Sequence, residues 1–192
     1  MLHLTVDCSD PSLPLGQLGL TSLPLLYCMR CELAHFDFVY RFVAQNSIKI
    51  LTAMKGDVVE EWADEVGLDV FPEKKVKLVP APARVEALFD RLNRNEEISP
   101  AEEAEICSFT GNYADREVGG YPMVDVINQI SGRSFLAQRL DDPECLRCGG
   151  TMQFLASLTN DKRQGFRFSF DSVQIVFFVC LPCRTIHAQH SA

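Results

Sequence analysis

The chain has no run of eighteen apolar residues, so no membrane-spanning helix is expected. It has no cluster of positive charge. Its 18 lysines and arginines are outnumbered by 26 aspartates and glutamates, for a formal charge of −8. Such a surface repels phosphate backbones and anionic membranes, which disfavours nucleic acid as a ligand and suits a basic protein partner. The first residues, M-L-H-L-T-V-D-C, have no basic segment followed by a long apolar one, so no secretory signal is read there. P-loop, GxGxxG, HExxH and GxSxG patterns are absent, so a nucleotide cofactor has no support and no catalytic or cofactor-binding residue is assigned.

What is present is enough apolar material for a core: 47% of 192 residues, with room for one domain or two small ones. There are eight cysteines. A disulfide-built secreted domain is usually shorter and denser in cysteine, so a reducing cytoplasm is the expected setting, where thiolates remain available for metal.

The last third organises the chain. It contains C-L-R-C-G-G-T-M-Q-F-L-A-S-L and then F-F-V-C-L-P-C, giving the pairs Cys145/Cys148 and Cys180/Cys183. Four thiolates can surround one Zn²⁺ tetrahedrally at about 2.3 Å each. The two-residue gap lets each pair wrap the metal as a tight knuckle, and Gly149-Gly150 supplies a place for positive φ where the chain turns away. Cys145, Cys148, Cys180 and Cys183 are therefore the predicted metal ligands. The zinc is expected to be structural, because four thiolates leave no position for water. A redox CxxC would sit at a helix N-terminus, whereas here the first pair enters a turn and a strand.

The patterning predicts an α+β fold with antiparallel sheet. Residues 1–7 read as a strand, 36–43 and 48–54 as a hairpin turning at Asn46-Ser47, and 72–84 as an extended linker with an edge strand. Residues 58–66 and 83–94 read as helices, the latter with Val85, Leu88, Phe89 and Leu92 on one face. Ser99, Pro100 and Glu102 predict a capped helix start. Residues 123–140 fit strand or helix. Residues 151–158 and 173–180 should be neighbouring strands, with 165–170 (Phe166, Phe168, Phe170) alternating between them. His187 and His190 read as a polar tail. The divisions expected are a β-rich half at 1–56, a helical and linker segment at 57–110, and a second β-rich half at 111–192 that holds the complete zinc site.

A faint repeat links the halves. Met1 to Cys28 spans 27 residues and Met152 to Cys180 spans 28, and each interval ends in a strand-like run and a CxxC pair. A duplicated unit of knuckle, strand, loop, strand and knuckle would make Cys28/Cys31 half of a second zinc site, its other half falling before Met1. Completion by Cys8, by His35 at C-x3-H spacing, by a second subunit in a homodimer, or by nothing are the alternatives.

V-G-G-Y-P (118–122), P-E-C-L-R-C-G-G-T-M-Q-F-L-A-S (143–157), G-F-R-F-S-F and V-F-F-V-C-L-P-C (176–183) together resemble the YwqG-like family of bacterial proteins of unknown function. The resemblance covers roughly residues 110–190, and the remainder more loosely. It implies an α+β fold with a curved antiparallel sheet and internal pseudo-twofold similarity, and it transfers almost no chemistry. Leu146 departs from the usual proline of the knuckle.

The functional expectation is a cytoplasmic zinc-binding protein acting through protein–protein contact, not an enzyme. One alternative is a zinc hydrolase using Cys28, Cys31 and His35 with an open coordination position. Another is a nucleic-acid-binding zinc ribbon. Phe166, Phe168, Phe170 and Phe177 read as core rather than as a base-stacking stripe, because the chain is acidic overall. Gly119, Gly120, Tyr121 and Pro122 read as a tight turn. Asp115, Arg116, Glu117, Asp141, Asp142 and Glu144 read as surface charge.

Overall fold

The computed structural model describes residues 2–27, 37–52, 77–94, 96–110, 128–132, 134, 141–159 and 174–191. It is an α+β fold with antiparallel sheets. The elements in order are β1 (Leu2–Asp7), β2 (Ser22–Leu26), β3 (Phe38–Ala44), β4 (Ser47–Thr52), α1 (Ala83–Asn93), α2 (Pro100–Thr110), β5 (Gln129–Ile130), β6 (Gln153–Thr159), β7 (Gln174–Cys180) and β8 (Thr185–Ser191). β1 and β2 form a two-stranded sheet, and the other strands form a six-stranded sheet in the order β4-β3-β8-β7-β6-β5.

Six apolar residues in a row after Gln174, I-V-F-F-V-C, make β7 a strand that can be buried on both sides, and all seven of its residues are buried. Ile175, Phe177 and Val179 join the main core with Leu155 and Leu158 of β6, Ile186 and Ala188 of β8, and Phe38, Tyr40 and Phe42 of β3. The chain from Val6 to Tyr27 closes that face with Leu15, Leu18, Leu23 and Leu25. Tyr40 ties the two sheets together. Its hydroxyl donates to the Pro24 carbonyl at 3.0 Å and accepts from the Leu26 N–H at 3.0 Å.

Sequence expectation and structure agree for β1, the β3–β4 hairpin, α1 and the β6–β7 pair, which joins Gln153 to Val179 and Thr159 to Gln174. The hairpin turn falls on Gln45-Asn46, with Ala44 opposite Ser47, one residue earlier than expected. The shift lets Gln45 reach back and accept from the Thr21 N–H at 2.8 Å. Within 123–140, the described residues Gln129 and Ile130 form a short strand on β6. In the described part of the 72–84 linker, residues 77–82 form no strand and 83–84 already belong to α1. The expected helix 58–66, the aromatic segment 165–170 and the Gly119–Pro122 turn lie outside the described residues.

The polar tail is corrected. Residues 185–191 are β8, an inner strand between β3 and β7. Thr185, Ile186, His187 and Ala188 are all buried. Strands from the first 56 residues and from the last third therefore share one sheet. The described residues of each interval matched by the proposed repeat contain an antiparallel pair, β1–β2 and β6–β7, in different sheets.

The Ser99 cap forms as a reciprocal box. Glu102 accepts from the Ser99 N–H at 2.8 Å and from its hydroxyl at 2.9 Å, while Ser99 Oγ accepts from the Glu102 N–H at 3.3 Å. α1 and α2 share a small core of Val85, Leu88, Phe89 and Ile106.

Candidate metal centre

Each cysteine pair sits in a turn whose backbone is closed by its own hydrogen bonds. In the first knuckle, Glu144 bridges Thr151, and the Met152 N–H donates to the Pro143 carbonyl at 2.8 Å. Inside that frame the Cys145 N–H donates to Gly150 at 2.9 Å, and the Gly149 N–H donates to Cys145 at 2.8 Å. The second knuckle is the turn between β7 and β8. Cys180 faces Thr185, and the Arg184 N–H donates to Leu181 at 3.2 Å.

In both knuckles the residue after the second cysteine is left-handed: Gly149 at φ +69° and Arg184 at φ +53°. Gly149 adopts this conformation without a Cβ clash. Arg184 adopts it at a cost, held by its place between two paired strands and by the bond from the Phe42 N–H to its carbonyl, 2.9 Å.

The two turns bring four sulfurs together. The Sγ atoms of Cys145, Cys148, Cys180 and Cys183 all lie within 4.8 Å of one another. Cys148 and Cys180, from different knuckles, are 3.7 Å apart. A tetrahedron with metal–sulfur bonds of about 2.3 Å has edges of about 3.8 Å, so this spacing fits one Zn²⁺. A disulfide needs about 2.05 Å. The two CxxC clusters thus form a zinc-ribbon-like arrangement, joining positions separated by more than thirty residues. Met152, Val176 and Phe178 pack with the buried Cys145 and Cys180 as an apolar floor, and Cys148 stands exposed above it.

The electrostatics also suit a divalent cation. Burial raises the Cys145 thiol, but backbone N–H groups of Arg147 and Cys148 donate to its sulfur. Together with hydrogen bonds from Cys180 and Cys148 they bring it down to about 7. Burial pushes Cys180 up to about 12, with its bonds to Cys145, Cys148 and Cys183 adding to the rise against the lowering effect of the Cys183 N–H. Burial, then the Cys148 hydrogen bond, also raises Cys183. One thiolate forms readily, and its neighbours resist a second negative charge until a cation neutralises them.

One partner was not legible in the sequence. Arg41 of β3 donates from Nε to the Cys183 carbonyl at 3.2 Å, so the first half of the chain braces the second knuckle. No local pattern marks Arg41. Its role follows from the β3–β8 register, which puts it opposite Thr185.

The remaining candidates lie elsewhere. Cys28, Cys31 and His35 are outside the described residues. Cys8 is buried in the main core, its sulfur 4.0 Å from the Val6 carbonyl, and burial raises its thiol. His187 is buried on β8 between Val39 and Phe178, in edge contact with the Phe178 ring at 6.4 Å. Its Nε2 lies 2.9 Å from Asp37 Oδ1, without hydrogen-bond alignment. Phe177 is core, as expected, and Asp141, Asp142 and Glu144 are exposed at the rim of the first knuckle. Among the described residues no helix is long and apolar enough to cross a membrane. Compared with family models, curated proteins and solved structures, the chain matches none.

Proposed function

We propose that this chain is a zinc protein of the YwqG-like kind, in which one Zn²⁺ held by Cys145, Cys148, Cys180 and Cys183 locks the β6–β7–β8 end of the sheet and the assembled surface acts by protein–protein contact. The observation that carries the metal is the four-sulfur cluster within 4.8 Å. Its four ligands fill a tetrahedral shell, which supports a structural role over Lewis-acid chemistry. Zinc-bound thiolates also fit a reducing bacterial cytoplasm.

The charge of −8 supports a basic partner, such as a toxin held by an immunity protein. Capture of basic proteins from a lysate on the immobilised chain at low salt, with release as salt rises, is the expected result. Recovery of no basic partner at low salt would refute this part of the reading. The hydrolase alternative places an open zinc at Cys28, Cys31 and His35. It predicts more than one zinc per chain, with a hydrolytic activity lost on chelation. The duplication that would make Cys28/Cys31 a half-site, shared across a homodimer, predicts zinc bridging two chains.

A further inference from the structure

The four ligands are not equally protected. Cys145 and Cys180 are buried and Cys183 is half-buried, but Cys148 is exposed. Residues 146 to 151 are exposed as well, so solvent reaches the first knuckle along its whole outer side. Gly149 and Gly150 leave that side bare. A Cβ built on Gly149 meets nothing within 4 Å, whereas one on Gly150 would stand 3.5 Å from Cys148 Sγ. Behind Cys148, on the other knuckle, is the Cys180 sulfur at 3.7 Å.

We propose that Cys148 is an oxidation site through which a peroxide opens the metal centre, with Cys180 as the resolving thiol. This deepens the zinc reading and rests on it. The Cys148 thiolate attacks one peroxide oxygen. The O–O bond breaks, the sulfur becomes a sulfenic acid, and hydroxide leaves. The Cys180 thiolate then attacks the sulfenic sulfur, forming the S–S bond and expelling a second hydroxide. Two thiolates have lost two electrons and one peroxide has gained them. A bound metal would then be left with only Cys145 and Cys183, half of its shell, and would dissociate. Reduction by a thiol restores the dithiol and the site.

The test uses the full zinc-loaded chain, hydrogen peroxide and an excess of chromophoric chelator, followed by peptide mapping without reduction. The expected result is one zinc released per disulfide formed, with Cys148 linked to Cys180. Gly150→Val places a side chain over the exposed sulfur without removing a ligand. It should hold the same zinc and release it several-fold more slowly, and Gly150→Ala should fall between the two. Linkage confined to Cys145/Cys148 or to Cys180/Cys183 would overturn the proposal, as would equal release rates in zinc-replete wild-type, Gly150→Ala and Gly150→Val chains. A protein purified without zinc would refute the metal reading instead. The disulfide map of its free thiols would still decide whether Cys148 and Cys180 pair.

Discussion

Arg41 Nε donates a 3.2 Å hydrogen bond to the carbonyl of Cys183, although 142 residues separate the two in sequence. The contact exists because β3 lies antiparallel to β8, with Arg41 opposite Thr185 and the Phe42 N–H bonded to Arg184. The second knuckle is thus braced from the first half of the chain, and loss of that brace should reach the metal. Arg41→Leu should cost about 1.5–3 kcal/mol, the range for a charged donor. Denaturant midpoints with and without zinc would measure it, and chelator competition should show weaker metal retention. An unchanged zinc affinity would mean that the knuckle is rigid without its brace.

The first knuckle depends on a left-handed residue. Gly149→Val would force a branched side chain to φ +69°, which costs about 1–3 kcal/mol. Zinc competition should show a corresponding loss of affinity. Arg184→Gly should leave zinc binding intact, because it relieves the same conformation in the second knuckle.

Tyr40→Phe tests the joint between the sheets. It removes the hydroxyl that accepts from the Leu26 N–H and donates to the Pro24 carbonyl, at a cost of about 1–3 kcal/mol. Hydrogen exchange at Leu26 should quicken more than exchange in β7. Uniform acceleration would instead indicate global destabilisation.

Metal uptake should depend on pH in a defined direction. Zinc binds thiolates, so protons compete with it and affinity falls as pH falls. Burial opposed by the Arg147 and Cys148 N–H groups sets Cys145 near 7. Below that pH its proton must be displaced by the metal, and above it the thiolate is already present. The number of protons released per zinc should therefore drop by about one as pH rises through 7. Calorimetric titration in buffers of differing ionisation enthalpy would count them, and a proton release constant from pH 6 to 8 would contradict this assignment.

Much of this architecture can be read locally. CxxC spacing marks the four clustered cysteines and the β6–β7 pair beside them, the Ser99-Pro100-Glu102 triplet marks the α2 cap, and a period-two run marks β3. β8 escapes because T-I-H-A-Q-H-S looks hydrophilic. Yet its alternation is regular: Ile186 and Ala188 enter the main core, while Thr185 and His187 are buried on the opposite face. A strand between two others can bury polar residues on its second face, here with Asp37 2.9 Å from His187 Nε2, and hydropathy alone does not report such neighbours. Arg41 escapes for a related reason. Its acceptor is a backbone carbonyl brought near by strand pairing between distant segments, which no short motif encodes.

The most direct measurement is the zinc content per chain of protein purified without added metal, by elemental analysis beside native mass, for the wild type and for Cys145→Ser. One zinc per wild-type monomer, lost in Cys145→Ser, is the predicted result. A wild-type chain with four reduced thiols at these positions and no bound metal would contradict the zinc centre and leave the cluster as packing alone.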